Sequence, residues 1–177
     1  MSSKRTTLVL ATAALTALAL ATAAQSAFGA TYALQGTYAT TQGGCNPETC
    51  GGATYSYDGT ATCQSKCQNA PRTGDFTLRL TGQGLFPPSP CVSKRVDGQL
   101  TFFPTDPFFP PDPIIAAVQG HDVDFHGYRV SGTISAGVLA GLPVSAFVSY
   151  PPDPISPALL GCSPGTFTGT FFPPYPV

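Results

Sequence analysis

The residue types best suited to chemistry are concentrated in one short segment, His121-Asp122-Val123-Asp124-Phe125-His126, which holds both histidines of the chain. Alternate side chains of a β-strand share a face, so Asp122, Asp124 and His126 are expected to line up outward. Two carboxylates and an imidazole suit a divalent metal or acid–base catalysis. Strand neighbours on one face lie about 7 Å apart, so such a site needs further ligands from adjacent strands. We take these three residues as the candidate metal site, against the simpler interpretation of a solvated strand face.

Other catalytic patterns have little support. The chain has no G-x-S-x-G elbow. A Ser-His-Asp arrangement would use Ser131 or Ser135 as the nucleophile, and the sequence gives it little support. Gly82-Gln83-Gly84 lacks the remaining glycine and the following helix of a nucleotide-binding loop. We therefore expect no cofactor and a non-enzymatic role. The alternative is a metal-binding protein or hydrolytic enzyme that uses the Asp122, Asp124 and His126 face.

Six cysteines predict three disulfides, and fifteen pairings are formally open. If Asp58-Gly59 forms a two-residue hairpin turn, Cys50 lies opposite Cys67. Cys91 and Cys162 then tie two distant proline-containing loops together, which leaves Cys45 to pair with Cys63. The alternative is a zinc site, because Cys45-x4-Cys50 and Cys63-x3-Cys67 loosely resemble paired thiolate ligands.

The first thirty residues have the pattern of a secretory leader. Lys4 and Arg5 precede an apolar run from Leu8 to about Ala24, and small residues then offer A-x-A cleavage sites. We predict a signal peptide over 1–26 and a secreted, extracellular domain over 27–177. All six cysteines lie after this leader, in agreement with an oxidising compartment.

Composition excludes several classes of partner. Removing the leader leaves six basic and nine acidic residues, a net charge of −3 without charge runs, which argues against nucleic acid. The apolar stretches after residue 30 are interrupted by Pro or Gly and are too short for a membrane anchor. The expected partner is an extracellular protein or a small-molecule ligand.

The fold is predicted to be all-β. Nineteen glycines and nineteen prolines leave room only for short segments, and these alternate apolar and polar residues with period two. We predict an antiparallel β-sandwich or open barrel of seven to nine strands, with proline-rich loops and disulfide links. A β-bulge is expected at His126-Gly127, where the apolar parity changes. Short helical turns are expected at 114–118 and 157–160, and the repeated Pro-Pro-Asp-Pro-Ile at 110–114 and 151–155 hints at an internal duplication.

The proline clusters carry the remaining functional hypotheses. Aromatic residues adjoin them, and such side chains either plug the ends of the fold or present a stiff binding surface. We favour plugging for these side chains, which are Phe102, Phe103, Phe108, Phe109, Tyr150, Phe172 and Tyr175. The main functional hypothesis is a secreted β module with a structural or binding role. A further alternative is a protease inhibitor that presents a rigid proline-rich loop.

Overall fold

Alternating apolar and polar residues form strands throughout the described part of the chain. The computed structural model describes residues 29–41, 45–46, 49–50, 53–86, 89–151 and 161–175. The strands are β1 Thr31–Thr41, β2 Cys45–Asn46, β3 Thr49–Cys50, β4 Thr54–Ser65, β5 Thr73–Phe86, β6 Ser89–Pro104, β7 Ile114–Asp122, β8 Gly127–Ile134, β9 Pro143–Ser149 and β10 Gly165–Phe172. The predicted leader lies outside the described residues. No helix in the described ranges has the length and hydrophobicity needed to cross a membrane.

Eight of these strands form a closed antiparallel barrel. Consecutive strands from β4 to β10 pair with each other, and β1 pairs with both β10 and β4. The small β2–β3 hairpin lies in the connection between β1 and β4. The all-β antiparallel prediction is confirmed, while the sheet closes on itself instead of staying open or splitting into two layers.

The barrel has two chemically different ends. The proline end carries the loops 66–72, 105–113 and 135–142, together with residues 29–30 and 173–175. The tyrosine end carries the turn 123–126 and the connection from β9 to β10. Towards the proline end, the interior is filled by the contacting rings of Tyr32, Phe76, Phe102 and Phe171. Side chains therefore pack the barrel interior as a core.

Two disulfides are present among the described residues. Cys91–Cys162 is confirmed, and it joins β6 to the connection that precedes β10. The predicted pairs Cys50–Cys67 and Cys45–Cys63 are wrong, because Cys63 bonds to Cys67. This bond also removes one thiolate pair of the zinc alternative. Cys45 and Cys50 are directly opposed in the backbone register of β2 and β3, and a third bridge stays a prediction.

The pairing error traces to Asp58-Gly59, which is not a turn. Both residues lie inside β4, where Gly59 is directly opposite Gly36 of β1. A Cβ on Gly59 would lie 2.1 Å from the carbonyl oxygen of Gln35. The glycine therefore serves the close approach of two strands.

Other local predictions have mixed outcomes. Residues 114–118 begin strand β7 and form no helical turn, because Ile114, Ala116 and Val118 alternate inward. The expected bulge at His126-Gly127 is also wrong, since the chain reverses there between β7 and β8 and the apolar parity restarts. The second helical turn and most of the second Pro-Pro-Asp-Pro-Ile lie outside the described residues.

Candidate functional site

The predicted metal-binding strand is a tight turn. β7 ends at Asp122, and the next four residues reverse the chain, with the His126 N–H donating to the Val123 carbonyl at 2.8 Å. Asp124 and Phe125 have φ values of 49° and 59°. Positive φ at both central residues is the signature of a type I′ hairpin turn. The side chains of this segment therefore do not alternate across a strand.

The polar groups of this turn bond mainly to the turn itself and to Tyr150, the residue that follows β9. Asp122 accepts hydrogen bonds from the Phe125 N–H at 3.0 Å and the Tyr150 hydroxyl at 2.6 Å. His126 Nδ1 lies 2.6 Å from the Asp124 carbonyl oxygen, which can only accept, so this nitrogen carries the proton. No group of three His, Cys, Asp or Glu side chains is arranged for a metal anywhere in the described ranges. Asp122, Asp124 and His126 therefore do not share a strand face, and metal binding by these residues stays a prediction.

The serine considered at position 135 is remote from these histidines. Its hydroxyl donates to the Ile115 carbonyl at 2.9 Å, beside the loop 135–142 of the proline end. Both histidines flank the turn at the tyrosine end. Ser135 therefore does not join them in a catalytic arrangement.

Buried hydroxyl groups extend inward from Asp122. Tyr150 packs edge-on against Tyr128 with ring centroids 5.1 Å apart, and the Tyr128 oxygen accepts from the Ser93 N–H at 2.9 Å. The Ser93 hydroxyl lies 2.7 Å from the Tyr55 hydroxyl. Sequence reasoning missed this network, because alternation predicts which side chains are buried but not which hydroxyl groups meet across the barrel.

These tyrosines are not equipped to act as bases near neutral pH. Burial is the largest cause that raises the pKa of each of Tyr38, Tyr55, Tyr57, Tyr128 and Tyr150. The neutral hydroxyl is favoured because a buried phenolate loses its hydration. The tyrosines of the network, Tyr55, Tyr128 and Tyr150, therefore contribute neutral hydroxyl groups that form hydrogen bonds at the tyrosine end.

The proline end contains an open, mostly apolar pocket of about 260 Å³. Two loops form its walls, the one between β6 and β7 and the one between β8 and β9, and Tyr175 adds a third side. Asp112 and Tyr175 are the lining residues with polar side chains. The lining residues are Pro104, Phe109, Pro110, Asp112, Pro113, Ile114, Ala136, Gly137, Val138, Leu139 and Tyr175.

Asp106 holds the first pocket loop in place. Its carboxylate accepts from the Arg72 N–H at 3.0 Å and the Phe108 N–H at 3.1 Å, and its carbonyl accepts from the Phe109 N–H. The two hydrogen bonds to the carboxylate, first the one from Arg72 and then the one from Phe108, lower the pKa of the Asp106 carboxyl. The loop that carries Phe109 into the pocket is thus tied to the connection between β4 and β5.

The second pocket loop is fixed by its own backbone. Gly137 and Gly141 have φ values of 87° and 85°, which favour glycine, and the Gly141 N–H donates to the Ile134 carbonyl. The Leu142 N–H donates to the Leu139 carbonyl at 3.1 Å. Between the glycines, Val138 is 83% exposed at the pocket, an unusual position for an apolar side chain.

The aromatic residues near proline divide into two groups. Phe102, Tyr150 and Tyr175 are buried and close the ends of the barrel, as predicted. Phe108 is 92% exposed beside the pocket residue Phe109, and Phe103 and Phe172 are each more than 40% exposed. The plugging hypothesis therefore holds for the first group only.

Comparison with known proteins adds no assignment: no protein-family model, curated protein or solved structure matches this chain.

Proposed function

We propose that this protein is a non-enzymatic extracellular barrel that binds a small, mainly apolar ligand at its proline end. The observation that carries the proposal is the 260 Å³ pocket, whose walls are apolar apart from Asp112 and Tyr175. Mouths of β-barrels are recurrent places for ligand sites of this character. The two disulfides are consistent with an extracellular setting.

The volume and chemistry of the pocket define the ligand class. A cavity of about 150 Å³ lined by apolar side chains is sufficient for benzene, so this larger pocket fits a substituted or fused ring system. Burial raises the pKa of Tyr175 to about 12, so its hydroxyl stays neutral. We expect a ligand with one polar group, held by Tyr175 or Asp112 while the remainder is buried.

The walls are stiff, and this favours binding. Three lining prolines, Pro104, Pro110 and Pro113, have fixed φ angles, and Asp106 holds the loop between them. A preorganised site loses little conformational entropy when a ligand enters. The exposed Val138 would be removed from water by a bound ligand, which adds a hydrophobic contribution.

A neutral fluorescent probe, N-phenyl-1-naphthylamine, tests the proposal directly. We expect enhanced emission on titration, with a Kd in the micromolar range. The variant Ala136→Phe fills the pocket and should weaken binding at least tenfold. Ala117→Phe is the matched control, because Ala117 is exposed on β7 outside the pocket lining and should leave binding unchanged. Equal binding by both variants, or no binding by the wild type, contradicts the proposal.

Native mass spectrometry of the protein secreted by its own host gives an independent test. A small molecule retained in the native spectrum and lost on denaturation supports ligand binding. The denatured, unreduced mass should also be six hydrogens below that of the reduced chain, as three disulfides require. A four-hydrogen deficit would show that Cys45 and Cys50 are not bridged.

A further inference from the structure

A row of exposed side chains crosses the outer wall of the barrel. Strand pairing places Arg95 of β6 directly opposite His121 of β7, and His121 directly opposite Arg129 of β8. All three side chains are exposed. We refer to Arg95, His121 and Arg129 as the basic row. Directly opposed residues on neighbouring strands have Cβ atoms about 5 Å apart, so the three side chains lie within reach of one extended ligand.

The arginines of the basic row form no direct ion pair in the part of the chain that the structure describes; the pair that is present there joins Arg79 to Asp58. The nearby carboxylates have other partners: Asp97 accepts from the Gln83 amide and Asp122 from the Tyr150 hydroxyl. Arg95 and Arg129 lie two strands apart, about 10 Å across His121, and the repulsion between their like charges has a modest cost. An anion bound across the row would remove this cost.

The row continues at both sides with uncharged binding groups. Gln83 of β5 is opposite Arg95, and Phe147 of β9 is opposite Arg129. Phe147 is half-buried, so part of its ring reaches the outer surface. Five positions on five neighbouring strands span about 19 Å at the usual strand spacing. These positions form a narrow strip that curves with the barrel wall and carries an amide, two guanidinium groups, an imidazole and an aromatic ring.

We propose that this surface binds an acidic glycan, with Arg95 and Arg129 holding its carboxylate or sulfate groups. Guanidinium groups match these anions with paired hydrogen bonds, and His121 adds a ring nitrogen between them. Phe147 provides an apolar platform for a sugar ring. Two guanidinium groups on a chain of net charge −1 are too few for nucleic acid, which needs many phosphate contacts, but are sufficient for two anionic groups of a short acidic glycan.

Binding of labelled oligosaccharides to the intact protein tests this proposal. The probes are a galacturonate hexamer, a heparin hexasaccharide and neutral maltohexaose, which together separate carboxylate from sulfate recognition. We expect at least one acidic probe to bind, with affinity that falls as salt rises, and maltohexaose not to bind. Arg95→Gln/Arg129→Gln should weaken that binding at least tenfold.

A charge-matched variant supplies the control. Arg72→Gln/Arg79→Gln removes the same two charges from exposed residues outside the row and should retain affinity within about twofold. Phe147→Leu, which keeps an apolar side chain, should weaken binding several-fold if the ring stacks on a sugar. Equal losses in the two double variants, absence of binding by both acidic probes, or tighter binding of single-stranded DNA would each overturn the proposal.

Discussion

Removing the hydroxyl of Tyr57 is predicted to stabilise the protein, whereas removing the hydroxyl of a buried tyrosine usually destabilises a protein. Tyr57 is fully buried in the barrel, where its ring contacts Tyr38 and Phe167. In the described structure its hydroxyl has no hydrogen-bond partner. A buried polar group without a partner costs about 1–3 kcal/mol of desolvation. Tyr57→Phe should therefore raise the free energy of unfolding by about 1–2 kcal/mol.

Tyr38 provides the matched control in the same cluster. Its hydroxyl donates to the Gly161 carbonyl at 2.6 Å, so Tyr38→Phe removes this buried hydrogen bond. This variant should lower the free energy of unfolding by about 1–2 kcal/mol. The two substitutions delete the same atom from rings whose centroids lie 5.0 Å apart. Differences in ring packing are thereby largely cancelled.

Chemical unfolding followed by tyrosine fluorescence and circular dichroism measures both effects. Each kcal/mol also shifts the thermal midpoint by about 2–4 °C for a domain of this size. We expect the midpoint to rise for Tyr57→Phe and to fall for Tyr38→Phe. A similar destabilisation in both variants would refute the reasoning, because it would mean that the Tyr57 hydroxyl is hydrogen-bonded in solution.

Three further perturbations test other parts of the fold. Gly82→Ala should destabilise by about 1–3 kcal/mol in urea unfolding, because its Cβ would lie 1.9 Å from Ser93 Oγ and break the hydroxyl network; an unchanged midpoint would contradict this. Replacing Cys91 and Cys162 by alanine opens a bridge between residues 71 apart in sequence, and should cost about 4 kcal/mol in the same assay. Asp106→Asn tests the pH dependence: the carboxyl pKa is lowered, so its stabilisation is present above the ordinary value of 3.8 and is lost as pH falls through the folded pKa. The stability difference between wild type and Asp106→Asn should therefore be present at pH 6 and shrink progressively as the pH falls below 3.8, and a constant difference would argue against it.

The strand interiors were predictable because burial imposes period-two alternation. Tyr32, Leu34 and Tyr38 share the buried face of β1, and Phe167 and Phe171 share that of β10, as the sequence pattern indicates. The closure of the sheet was not predictable, because alternation is the same in a sandwich and in a barrel. Closure depends on the pairing of β1 with β10, which are about 130 positions apart.

The candidate sites were predicted less well, and turn chemistry explains why. Asp58-Gly59 has the residues of a hairpin turn but lies within a strand, where the glycine permits close strand approach. The real turn uses Asp124 and Phe125, and phenylalanine rarely adopts positive φ, so no sequence signal marks it. The pocket was missed because its two walls belong to loops that only tertiary structure brings together.

The seam between β1 and β10 makes assembly of the barrel dependent on the last strand of the chain. Until residues 165–172 are available, β1 and β9 each lack a partner along one side and expose unpaired N–H and C=O groups. Open edges of this kind recruit other chains, and the aromatic interior is uncovered at the same time. A chain truncated before Gly165 should therefore aggregate instead of forming a smaller soluble barrel. Pairing of β10 with β1 and β9 is thus the step that separates a closed barrel from an aggregation-prone open sheet.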